Sequence, residues 1–99
     1  MTREQFLACF KGCVVGEFKP TEGIKFNENV TITIELRSHV KCGGMVESSE
    51  GMSYRNEIVE IANGVFELST FSESVSIRTE RFALEDVLKV QQGFDEAAE

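Results

Sequence analysis

Four side chains in this 99-residue chain are cysteine or histidine, the softer of the donors that grip zinc. Cys9 and Cys13 stand four apart, and His39 and Cys42 stand three apart within RSHVKCGG. Zinc takes four soft or borderline donors at tetrahedral corners. Cys9 and Cys13 would share one face of a helix, and His39 with Cys42 would add two donors across a turn. Neither pair is a CxxC knuckle, however, and Gly12 followed by Val14 and Val15 interrupts a helix through Cys13. Cysteine often packs as a small hydrophobe, and Cys9 lies beside Leu7 and Phe10. The expectation is therefore packed thiols and no bound metal. The set Cys9, Cys13, His39 and Cys42 stands as the alternative, a small structural zinc module.

Catalysis finds less support. A Cys42–His39 nucleophile pair needs the imidazole within hydrogen-bond reach and a third group to orient it. The neighbouring sequence offers only Ser38, Lys41 and backbone. Glu57 and Glu60 have the look of paired carboxylates but read as strand residues on a wet face. There is no phosphate-binding loop, no GxSxG elbow and no dinucleotide fingerprint. The sequence reads as a protein that is not an enzyme, with no catalytic residues and no cofactor.

Such groups would have to be held by elements that hydropathy periodicity can locate. Thr2 and Gln5 fit a capping box, and Phe6, Leu7 and Phe10 line one face of a helix over about residues 3–11. CVVGEF reads as a short strand or an extended continuation, and KPTEG as a loop. VTITIELR alternates strictly, with Val30, Ile32, Ile34 and Leu36 on the dry face. RSHV makes the turn, and CGGMVES a bent strand. SSEGMSYRN is a polar loop, flanked by Met45 and Met52 as gap-fillers. EIVEIANG and VFELST form a hairpin across Asn63-Gly64, the strongest two-residue turn signal. SESVSIRTERF is a further strand, with Val75, Ile77 and Thr79 facing inward. ALEDVLKV combines a one-turn helix with a last strand that carries Leu88 and Val90.

One helix followed by five or six closely spaced strands requires antiparallel neighbours, since parallel crossovers need a dozen residues or more. The fold class expected is mainly β, a small and strongly bent antiparallel barrel with one short N-terminal helix plugging its end. It forms a single domain over 1–99. Helix and loop occupy 1–29, the barrel 30–91, and an acidic frayed tail 92–99.

VTITIELRSHVKCGGMVES resembles the first two strands of Sm-like and SH3-like barrels. SVSIRTERFALEDVLKV is similar to their closing strand, one-turn helix and last strand. With VFEL ahead of it, that closing section also resembles Veg-like proteins of Gram-positive bacteria. The resemblance implies the barrel fold. The chain departs from it by extra residues at about 49–62. RTERFAL also stands where RNA-binding members carry a basic-aromatic motif.

Charge narrows the partners. Residues 1–46 carry a net +1 and residues 47–99 a net −8, giving −7 overall. An acidic half repels phosphate and gains nothing from counterion release, so nucleic acid is not an expected partner. No stretch nears the roughly 20 apolar residues that span a bilayer. An odd cysteine count and no secretory pattern at the N-terminus point to a reducing, cytoplasmic setting. The function expected is a small binding or adaptor protein working through protein contacts, including homo-oligomers through strand edges. The alternatives are a nucleic-acid-binding Sm-like barrel, an acidic inhibitor of viral or plasmid origin that mimics DNA, and the zinc module.

Overall fold

The computed structural model describes residues 1–10, 12–19, 23–44, 46 and 53–94. Helix α1 is Arg3–Ala8. Among the described residues eight strands follow: β1 Val14–Lys19, β2 Gly23–Phe26, β3 Val30–Leu36, β4 Lys41–Gly43, β5 Tyr54–Ala62, β6 Val65–Ser72, β7 Val75–Ala83 and β8 Val87–Phe94. A one-turn 3₁₀ helix, Leu84–Asp86, links β7 to β8. Met45 and Met52 lie outside the described residues, as do Pro20 and tail residues 95–99.

The protein is mainly β with one N-terminal helix. It is not the closed, strongly bent barrel of five or six strands that the sequence pattern suggests. Two open antiparallel sheets run β1-β2-β5-β6-β7 and β4-β3-β8. The likeness to Sm-like, SH3-like and Veg-like proteins therefore does not extend to the topology. The physical reason lies in how the apolar faces are covered. A sheet can bury one face by curling on itself or by meeting a second layer. Here Ile24, Phe26, Ile58, Phe66, Leu68 and Phe82 of the larger sheet share one core with Val30, Ile32, Ile34, Cys42 and Val87 of the smaller. The second layer removes the need to curl.

The helix completes that core. Thr2 Oγ1 accepts from Gln5 N at 3.1 Å, and Gln5 Oε1 accepts from Thr2 N at 2.9 Å. This reciprocal cap holds a helix too short to persist alone. Phe6 lies 5.0 Å from Phe66 and 5.1 Å from Phe10, and Phe10 lies 5.0 Å from Phe26, ring centre to ring centre. The helical segment and the larger sheet are thus joined through interlocking aromatic rings.

Two strands differ from the sequence pattern. β2 lies partly in the stretch assigned to a loop, yet Ile24 and Phe26 are buried around exposed Lys25. β7 is turned over relative to expectation. Val75 and Ile77 are 63% and 49% exposed, Thr79 is also exposed, and Phe82 is buried. A register shift between Thr70/Phe71 explains the change: Thr70 pairs with Arg78 and Phe71 with Ser76, leaving Ile77 as an extra residue. Ser76 and Thr79 hydroxyls consequently approach to 3.3 Å although three apart in sequence. A bulge breaks the period-two rule in this way.

Candidate functional site

The four candidate zinc ligands are dispersed. His39 stands at the turn between β3 and β4, with its side chain 83% exposed and Nδ1 3.7 Å from Glu35 Oε2. Its φ of 68° and its N–H donated to Leu36 O at 2.9 Å make it a left-handed turn residue. Cys42 faces the core from β4. Cys9 and Cys13 are half-buried just beyond α1, and Cys9 Sγ donates to Gln5 O at 3.2 Å. Among the described residues, no three His, Cys, Asp or Glu side chains gather where they could hold a metal ion.

Glu57 and Glu60 do not converge either. Three apart on a strand, they face opposite ways. Glu60 Oε2 accepts from Arg3 Nη2 at 2.7 Å and from Gly64 N at 2.9 Å. Those bonds, led by the arginine, hold its carboxyl below the ordinary value. Glu60 thus ties the helix to the Asn63-Gly64 turn.

A polar cluster that the sequence does not advertise lies where β4 meets β7. Alternation about the bulge puts Arg78 and Glu80 on the inner side of β7, with Phe82. Glu80 Oε1 accepts the Gly43 N–H at 2.8 Å. Arg78 Nη2 donates to Gly44 O at 3.2 Å and to Thr70 Oγ1 at 3.3 Å. Thr70 in turn meets Asn56, which bonds Val30 O at 2.8 Å. Burial, and then the Glu80 charge, push the Cys42 thiol above its usual value, with Arg78 opposing. A thiol held protonated is a poor nucleophile.

Two surface features remain. The tip of the β6–β7 hairpin carries exposed Val75 and Ile77 beside a cleft of about 360 Å³ lined by Phe71, Arg55, Glu28 and Glu73. The second is a sheet edge. β3, the strictly alternating strand, is central between β4 and β8. β8 is terminal in its sheet and pairs only with β3 among the described residues, from Leu36↔Val87 to Val30↔Phe94. The sheet therefore runs on to Phe94, beyond the boundary at 91 read from sequence.

Of the residues in these features, Tyr54 and Asn56 stand in a stretch that reads as a polar loop. Their alternation with Ile58 is the signal that could have found them. For Arg78 and Glu80 there is none, because a charged pair facing inward contradicts the usual pattern. No family model matches the chain, and no curated protein or solved structure is detectably similar to it.

Proposed function

We propose that this chain is a non-enzymatic binding protein whose contact element is the outer edge of β8. One observation supports this above the rest: eight residues of strand with a single described neighbour. An unpaired edge presents backbone donors and acceptors that another strand can complete. Natural proteins blunt such edges with proline, charge or brevity. β8 has no proline, is eight residues long, and has Lys89 as its only charge. Leu88, an extra residue at the register shift opposite Glu35/Leu36, is 52% exposed. No acidic residue stands within the strand itself, although Glu85-Asp86 and Asp95-Glu96 flank it in sequence. The partner is a protein segment that pairs in extended form.

Amine-reactive cross-linking in cells, followed by mass spectrometry, tests this through Lys89. The chain should be joined at Lys89 to a partner that a Leu88→Glu, Gln91→Glu variant fails to hold, while the variant keeps its fold by circular dichroism. A partner retained by that variant and joined elsewhere, or no β8-dependent partner, overturns the proposal.

A further inference from the structure

β4 is held differently on its two sides. Towards β3 it has three ladder positions, Thr33↔Gly43, Ile34↔Cys42 and Glu35↔Lys41. Towards β7 it has no ladder among the described residues. There, side chains replace main chain: the Glu80 carboxylate takes the Gly43 N–H, and the Arg78 guanidinium donates to the Gly44 carbonyl. The close approach is to β3. A Cβ on Gly43, at φ +81°, would collide with the Ile32 carbonyl and come within 2.9 Å of Leu68 Cδ2.

We propose that Arg78 and Glu80 are a latch on β4, and that β4 opens as a local unit while the β5–β6–β7 sheet stays folded. The proposal stands independently of any partner at β8. Three observations carry it. The main-chain attachment of β4 is short: three ladder positions, closed at the ends by Leu36 N–H to Val40 O and Gly44 N–H to Ile32 O, and short ladders open at low cost. Among the described residues from Lys41 to Val46, only Cys42 and Val46 bury apolar side chains. The closed latch is also imperfect. Arg78 Nε lies 3.4 Å from Glu80 Oε1, and it is a buried nitrogen with no hydrogen-bond partner among the described residues. A buried donor left unsatisfied costs the closed state free energy that water returns on opening. The movement exposes the Cys42 thiol.

Site-resolved alkylation of Cys42 by iodoacetamide, in the full chain under native conditions, reads the opening. Peptide mapping separates it from Cys9 and Cys13. Cys42 should be modified at a rate insensitive to low urea, as local opening requires. The Gly43 amide should exchange in step with it, and the Leu68 and Ser69 amides of β6 should stay protected. Glu80→Ala should speed both Cys42 modification and Gly43 exchange about tenfold, the effect of losing a charge-assisted hydrogen bond. Glu80→Gln, which keeps an acceptor carbonyl, should fall between. If Cys42 and Gly43 open only together with β6, with the urea dependence of global unfolding, there is no latch. That comparison is decisive in the unmodified protein even where a variant fails to fold.

Discussion

Thr70 donates a 2.6 Å hydrogen bond to Asn56 Oδ1, and both side chains are fully buried. Asn56 passes the connection to Val30 O, so a polar relay runs from the larger sheet to the smaller. Thr70→Val keeps the shape and removes the donor. It should cost about 1–3 kcal/mol, the penalty for a buried acceptor left without a partner. Asn56→Ala should cost at least as much. Because the two act as one network, the double variant should lose less than the sum of the singles. Urea unfolding of the four proteins measures this, and strict additivity would show that the relay does not work as a unit.

The β6–β7 hairpin turns on Glu73 and Ser74, at φ 50° and 68°. Both lie in the left-handed region, which is the geometry of a two-residue primed turn. Neither residue type favours it, whereas at the β5–β6 turn only Gly64 has a positive φ, 76°. Replacing the pair with Asn-Gly should stabilise the fold by about 1–2 kcal/mol, given the left-handed cost to ordinary residues. A rise in thermal midpoint would show it. An unchanged midpoint would mean that the turn is not strained.

Glu60 gives the stability a pH dependence of known sign. Its carboxyl titrates lower in the folded chain than its ordinary value of 4.5, chiefly through Arg3 and then the Gly64 amide. A depressed carboxyl contributes stability that is present above its unfolded value and fades as pH falls through the folded one. Glu60→Gln should therefore weaken the protein at pH 7, and the gap to the parent should shrink by pH 3. Denaturant midpoints at the two pH values check this. A gap that is constant or widens in acid would refute the assignment.

The capping box at Thr2 and Gln5, the Asn63-Gly64 hairpin and the alternation of β3 are local signals, legible in the sequence, and local structure follows them. Ile24 and Phe26 alternate around Lys25 as a strand should, but Pro20 and Gly23 just before them are loop signals. The phase of β7 was not readable. It depends on a bulge at Ile77 and on partners for Arg78 and Glu80 that come from β4, far off in sequence. Closure failed for a related reason. Whether a strand series curls or splits into two layers is decided by long-range packing, here by Leu68 and Phe82 meeting Ile34 and Cys42 in one core. The cysteines and the histidine drew attention by residue type, whereas the polar cluster is built from arginine, glutamate, threonine and asparagine. Those types are too common on strands to stand out.

The aromatic joint between α1 and the larger sheet also constrains how the chain reaches its final form. Phe6 and Phe10 are synthesised well before Phe66 and Phe82, yet Phe6 packs against both. The β3–β8 ladder likewise unites Val30 with Phe94. Contacts between such distant segments slow folding, and greasy rings left waiting invite aggregation. A segment translated early is thus among the last to find its place, so synthesis rate and chaperone supply should govern soluble yield.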